Sequence, residues 1–345
     1  MTRSPSTALA QRIAPVAVVG GVVASELVDV TTDPAALEST GWWAAVVPFE
    51  GRPVFARFAR RRPTASIPRS PVRWRGPAWE DWRSSIDRDG FAQRVESIRD
   101  AIAAGDVYQV NLTRQLRAPL PGDASMLALG EELAAGNPAP FAAIIELPDH
   151  GVRVASASPE LFLSRNGRRV RSSPIKGTTA PGQAFSDKDR AENVMIVDLV
   201  RNDLGRVCVP GSVTVPHLLA EEDHPGLVHL VSTVEGELRS DAGWPELLDA
   251  AFPPGSVTGA PKIAAVAHIT ALEPVPRGVY CGAIGWVDAD RGVGEMNVAI
   301  RTFFVDDGDL CFGTGGAITW DSDADDEWLE TELKAARLLS IASAR

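Results

Sequence analysis

Two pairs of acidic residues repeat one spacing, Asp189 with Glu192 and Glu327 with Glu330. Each pair falls in a stretch of helical periodicity, where residues three apart project from one face. Lys334 lies one turn beyond Glu330 on that same face. Four hard carboxylate donors from two helices could hold a Mg²⁺ ion, partly directly and partly through water. On these residues alone, the simpler account is solvated helix surface in a chain with 45 Asp and Glu residues.

Other single residues invite chemistry of a different kind. Lys176 follows a strand-like run in SSPIKGTTAPG, in a turn rich in Ser, Pro, Gly and Thr. A lysine held there and partly desolvated would have a lowered pKa and could act as a nucleophile; otherwise it is a loop lysine. Glu160, in SPELFL, enters an apolar strand. Burial there would raise its pKa and suit it to general-acid work, or it caps the strand end in a turn with Ser158. His229 in VHLVSTVEG and Arg301 in NVAIRTFF sit inside apolar, strand-like runs. A buried arginine demands an anion, either a substrate carboxylate or a structural partner. His229 reads as a core histidine, and Tyr280 and Tyr108, the two tyrosines of the chain, as core aromatics. Two Gly-rich segments, GTGGAI and PPGSVTGAPK with Lys262, match neither GxGxxG nor a P-loop, so neither is a phosphate cradle.

The elements that must position these residues follow from the pattern. Short apolar runs at Val16–Val19, Ala44–Val47 and Val54–Phe58 predict strands, and the Arg/Pro/Ser-rich stretch Arg60–Arg75 predicts an exposed linker. Val95, Ile98 and Ile102 predict a helix from Phe91 to Gly105, followed by a strand at VYQVNLTRQL. FAAIIEL, VRVASAS and ELFLSR predict three strands, with a hairpin turn at Asn166–Gly167. Helices are expected at Ser186–Arg206, Pro261–Thr270 and Asp325–Ala342, and strands at Val279–Val287, Val298–Val305 and Leu310–Phe312. Meanders interrupted by helices, without regular βαβ alternation, give a mixed α+β fold. The division expected is a strand-rich region and linker over residues 1–85 and a catalytic region over 86–345.

Composition bounds what this fold can do. The chain has 345 residues, is 45% hydrophobic and 23% charged, and carries a formal net charge of -11. That is a globular composition with too little positive charge for a duplex nucleic-acid binder. No apolar run is long enough to span a membrane, and Gln11–Arg12 interrupts any signal-peptide core, so a cytosolic protein is expected. Cys208, Cys281 and Cys311 are odd in number and widely spaced, which fits neither a disulfide framework nor a zinc site. An anionic substrate would therefore need a local positive site.

Taken in order, VYQVNLTRQL, SPELFL, PIKGT, DKDRAENVMIVDLVRNDLGRV, HLVSTVEG, PPGSVTGAPK, RGVYCGAIGW, NVAIRT, GTGGAI and ETELKA resemble the chorismate-utilising enzymes. That family includes the first components of anthranilate and aminodeoxychorismate synthases and the isochorismate and salicylate synthases. The resemblance covers about Phe91 to the C-terminus and implies the anthranilate synthase component I-like fold, a large antiparallel β-sandwich core flanked by helices.

The same resemblance implies roles at matching positions. Asp189, Glu192, Glu327 and Glu330 align with a Mg²⁺ site that holds the ring carboxylate of chorismate. Glu192 and Glu330 are the direct ligands, and Asp189, where relatives carry Glu, acts through water. Arg301 and Tyr280 match contacts to the pyruvyl carboxylate, Gly315, Gly316 and Lys334 match contacts to the ring carboxylate, and Thr258 and His229 lie near the ring. Gln109 replaces the lysine base of the isochorismate and salicylate branch. PIKGT in place of PIAGT marks the aminodeoxychorismate synthase component I branch rather than anthranilate synthase component I, the alternative. There Lys176 attacks ring carbon C2 while Glu160 protonates the departing C4 hydroxyl. No Gly-x-Cys-x-Gly segment surrounds any cysteine, so ammonia is expected from a separate glutamine amidotransferase subunit or from free ammonium. The N-terminal part is shorter than the family usually shows and lacks a recognisable tryptophan-pocket motif.

Overall fold

The helices start where the sequence supplies caps. Asp87 accepts from the backbone N–H of Gly90 and opens α1, Arg88–Ala104; Gly105 closes it in the left-handed region at φ 83°. Ser125 opens α2, Met126–Gly136. Ser186 and Asp189 form a reciprocal capping box at the start of α3, Asp187–Gly205. Two shorter helices, α4, Trp244–Ala251, and α5, Lys262–Leu272, precede α6, Ala324–Ala342, which Asp323 caps. The computed structural model describes residues 13–179, 181–224 and 227–344.

Among the described residues, eighteen strands join in one sheet, and their pairings are antiparallel. From Gln109–Pro119 the path runs through Asp309–Ile318, Thr302–Asp306, Val152–Ser158 and Phe141–Leu147 to Val16–Val19. It continues through Val22–Thr31, Val54–Pro63, Trp42–Val47 and Ala283–Asp288. It then passes Val293–Val298, Leu161–Asn166 and Arg169–Ser173 to Leu227–Glu237. The sheet folds back on itself, so that Asn297 donates across to the Phe141 carbonyl and to Ser156 Oγ. Apolar side chains of both halves, among them Ala143, Val154, Ala283 and Met296, share one buried cluster with Trp42 and Phe55. The α+β class and the large antiparallel core flanked by helices are therefore as the sequence implied.

Helices cover this core by their apolar stripes. Ile196, Val197, Val200 and Leu204 of α3 join the central cluster with Trp244 and Leu247 of α4. Each such side chain, fully buried, contributes about 1.5–3 kcal/mol. α2 and α6 share a second cluster through Leu129, Leu133, Leu338 and Leu339, and α1 and α5 a third through Val95, Ile98, Ala265 and Ile269. Among the described residues no helix is long and apolar enough to cross a membrane.

Several boundaries differ from the pattern. The strand Val54–Pro63 runs into the stretch read as linker, because Arg60, Arg61 and Arg62 pair with Ser25, Ala24 and Val23. Lys176 lies in a short strand, Ile175–Thr179, rather than a turn; its pairing with Leu227–Glu237 shifts register between Ile175 and Thr178. The run read as one strand over Val298–Val305 breaks at Arg301, which has φ 51°, and the run over Val279–Val287 begins only at Ala283, after Cys281 at φ 64°. A left-handed residue interrupts the extended ladder, and here both segments turn. Helices α2 and α4 and the strand Thr214–His224 are further elements beyond those expected from the sequence.

Candidate active site

The two strand breaks deliver side chains to one cavity of about 550 Å³. Arg301 enters it from its left-handed corner and Tyr280 from the turn before Cys281. Tyr280 can lie against the strand Asp309–Ile318 because residue 313 is glycine: a Cβ there would sit 2.1 Å from the tyrosine ring. Gly315 and Gly316 continue that strand along the cavity wall. From α3 come Lys188, Asp189 and Glu192, from α6 Glu330 and Lys334, and from the strand Ile175–Thr179 comes Lys176. Glu160 and His229 close the floor with Asn111 and Ser256. Three of these, Asn111, Ser256 and Lys188, carry no spacing signal that sets them apart in the sequence.

Two expected residues stand outside the lining. The Thr258 hydroxyl is spent in its own turn, donating to the Pro254 and Gly255 carbonyls at 3.1 and 3.2 Å, and the residue is fully buried. Glu327 is buried beneath the wall, accepting from Ser322 Oγ at 2.6 Å and from Lys188 Nζ at 3.2 Å. Gln109 is buried too and donates to Asn111 Oδ1, which separates it from the cavity.

Burial controls the ionisation of the two groups best placed for chemistry. Glu160 is 3% exposed, and desolvation pushes its carboxyl up to about 7 against the opposing pull of a Ser256 hydrogen bond, the Lys176 charge and the Ile175 backbone. Lys176 is lowered, first by desolvation and also by the charge of Lys334, while Glu192 and Glu160 oppose the shift. Its Nζ lies 3.8 Å from Glu192 Oε2. A raised carboxyl and a lowered amine are both moved toward the forms needed for proton donation and nucleophilic attack. Ser158 fixes the turn, its hydroxyl donating to the Val298 carbonyl at 2.6 Å and accepting from the Glu160 N–H at 3.2 Å.

Arg301 has no hydrogen-bond or ion-pair partner for its guanidinium among the described residues, and burial alone lowers its pKa. An arginine never loses its proton under ordinary conditions, so this is a desolvated cation facing a cavity. Thr178 Oγ1 lies 2.8 Å from His229 Nδ1 and fixes the imidazole against the cavity floor.

The acids are interleaved with lysines. Lys188 Nζ lies 3.2 Å from Glu327 Oε1 and 4.0 Å from Glu192 Oε1, bridging α6 and α3. Lys334 Nζ contacts Glu330 Oε1 at 2.5 Å and the Gly315 carbonyl at 2.9 Å. Burial works to raise Glu330, but Lys334, Lys188 and Lys176 outweigh it and the pKa falls; for Glu192 burial prevails and the pKa rises. Asp189 Oδ2 takes the Ser186 N–H and hydroxyl at the helix cap. As they stand, no three acidic, His or Cys side chains among the described residues form a closed metal cage. The donor chemistry nonetheless suits a hard cation, being carboxylate oxygen throughout. Gly316 also leaves room beside these acids, since a Cβ there would come 3.0 Å from Glu327 Oε2 and 3.8 Å from Glu330 Oε1.

The three cysteines take no part. All are free and buried, and desolvation pushes the thiols of Cys208 up to about 11 and of Cys281 and Cys311 up to about 12. A second cavity, of about 520 Å³, lies between Val18, Phe141 and Trp286. Among the described residues, its one acidic lining residue is Glu295, and no lysine, arginine or histidine faces it.

Known proteins are similar to this chain over most of its length. Aminodeoxychorismate synthase component 1 of Salmonella typhimurium is 39% identical over 283 residues, covering 79% of this chain and 61% of that protein. Anthranilate synthase component 1 of Streptomyces coelicolor is 40% identical over 273 residues, covering 76% of this chain and 53% of that protein. The chain thus spans little more than half the length of these relatives. In fold it matches the crystal structure of anthranilate synthase component I from Streptococcus pneumoniae with a TM-score of 0.76, at 23% identity over 94% of this chain and 89% of that one. The family model of chorismate binding enzymes matches residues 57–340, which include the cavity and all the residues that face it, and the chain belongs to that family.

Proposed function

We propose that the chain is an aminodeoxychorismate synthase component I, replacing the C4 hydroxyl of chorismate by an amino group. The observation that carries this reading is the pair Lys176 and Glu160, buried in one cavity with amine and carboxyl pKa values moved toward neutrality from opposite sides. Names of relatives support it too, since aminodeoxychorismate synthases recur among them.

In the proposed reaction the neutral Lys176 amine forms a bond to ring carbon C2. The ring double bonds shift, the C4–O bond breaks, and the Glu160 proton leaves with the oxygen as water. Ammonia then bonds to C4, the double bonds shift back, and the C2–N bond to Lys176 breaks. The new ammonium returns a proton to Glu160. Chorismate and ammonia give 4-amino-4-deoxychorismate and water, with the pyruvyl ether intact and both residues restored. Covalent catalysis divides one hard displacement into two allylic ones.

Charge placement supports the substrate. Arg301, with no guanidinium partner among the described residues, would take the pyruvyl carboxylate with Tyr280 beside it, and Lys334 and the Gly315–Gly316 backbone would take the ring carboxylate. Glu192 and Glu330 would hold Mg²⁺ directly, with Asp189 and Glu327 behind, and the ion when bound would neutralise the ring carboxylate. Ammonia would come from a glutamine amidotransferase partner or from ammonium.

The similarity to an anthranilate synthase component 1 keeps a second reading, in which nitrogen enters at C2 and pyruvate leaves. Purified protein given chorismate, ammonium and Mg²⁺ distinguishes them by product mass and by a pyruvate-coupled assay. The expected result is 4-amino-4-deoxychorismate without pyruvate. Anthranilate with stoichiometric pyruvate would overturn the assignment.

A further inference from the structure

We infer that Lys188 is an internal counter-cation of the acidic site, holding Glu192 and Glu327 when no divalent ion is bound and yielding to Mg²⁺ when one is, so that it sets the site's affinity for the metal. The inference rests on the proposed reading of these acids as a Mg²⁺ site.

Four carboxylates, Asp189, Glu192, Glu327 and Glu330, crowd the facing ends of α3 and α6. Without countercharge they would repel, and three lysines supply it. They are not equivalent. Lys176 is only 12% exposed at its side chain and bonds to no acid closer than 3.8 Å. Lys334 is anchored twice, to Glu330 and to the Gly315 carbonyl. Lys188 alone spans the two helices, reaching Glu327 on α6 and Glu192 on α3 from a side chain that is 43% exposed.

Its position makes it easy to displace. Lys188 is the second residue of α3, where the positive end of the helix macrodipole disfavours a cation. Its hold there comes from the acids it bridges. A four-carbon stem already partly in water can swing its ammonium into solvent without unfolding anything and without a proton changing hands. Mg²⁺ and the Lys188 ammonium want the same carboxylate oxygens, so each binds at the other's expense. Metal affinity is then low in the resting protein.

Calorimetric titration of MgCl₂ into metal-free wild type, Lys188→Met and Lys188→Arg tests this. The expected result is at least tenfold tighter Mg²⁺ binding in Lys188→Met and near-wild-type binding in Lys188→Arg, which keeps the charge. Thermal melts guard against a folding defect: Lys188→Met should melt lower than wild type without metal and recover more than wild type with it. If wild type binds Mg²⁺ and Lys188→Met binds no more tightly, or if Met and Arg tighten binding equally, the inference fails while the proposed function stands. If neither protein binds Mg²⁺, the inference fails together with the metal part of that function, which the product assay judges separately.

Discussion

Glu160 carries a cost that its proposed work explains. Its carboxyl binds a proton to about 7 in the folded protein against an ordinary value of 4.5. The folded state therefore holds more protons than the unfolded one between those values, and stability falls as pH rises through that window. The shift is worth about 3 kcal/mol once both states are ionised. Glu160→Gln should thus be more stable than wild type at pH 8, by up to about 3 kcal/mol, and no more stable near pH 4, as urea denaturation at the two pH values would read. The same variant should lose about 100- to 10,000-fold in turnover and the alkaline limb of its pH–rate profile, because a general acid must arrive protonated. Equal stability at both pH values would show that the carboxyl is not held protonated. The sequence carried part of this: an acid entering an apolar strand implied burial. It did not carry Ser256 or Lys188, whose roles depend on partners distant in the chain, Glu160 and Glu327. Thr258 shows the converse, since its motif is legible but its hydroxyl closes its own turn.

Elements were legible where periodicity or a cap was strong. The acidic helices α3 and α6 and the Asn166–Gly167 hairpin stand close to where the pattern put them, with Gly167 at φ 60° in the turn. What the pattern hid were the breaks at Cys281 and Arg301, because neither is a glycine and nothing local announces a left-handed backbone there. Those breaks aim Tyr280 and Arg301 into the cavity. Packing holds the strand opposite: Gly313 is the space into which the Tyr280 ring fits. Gly313→Ala should push that ring away and raise KM for chorismate, by up to about 100-fold for a displacement near 1 Å, with the melting temperature reporting any wider damage. An unchanged KM would remove Tyr280 from substrate contact.

Across the whole molecule, local arrangement reconciles a net charge of -11 with the dianionic substrate proposed. The N-terminal strands are built into the same sheet as the later ones, Val16–Val19 beside Phe141–Leu147 and Trp42–Val47 beside Ala283–Asp288. One sheet thus joins the N-terminal strands to those that bear the site residues. Inside it Lys176, Lys188, Lys334 and Arg301 gather against Asp189, Glu192 and Glu330, so the bulk charge gives no guide to the field a ligand meets. The proposed reaction turns on a bond between the Lys176 amine and the ring. Intact-protein mass spectrometry after mixing the enzyme with chorismate and Mg²⁺, without ammonia, tests it most directly. The expected result is a protein heavier by one chorismate less one water, with the adduct mapped to Lys176 by peptide sequencing and absent from Lys176→Ala. Turnover of Lys176→Ala at the wild-type rate, with no adduct on either protein, would contradict it.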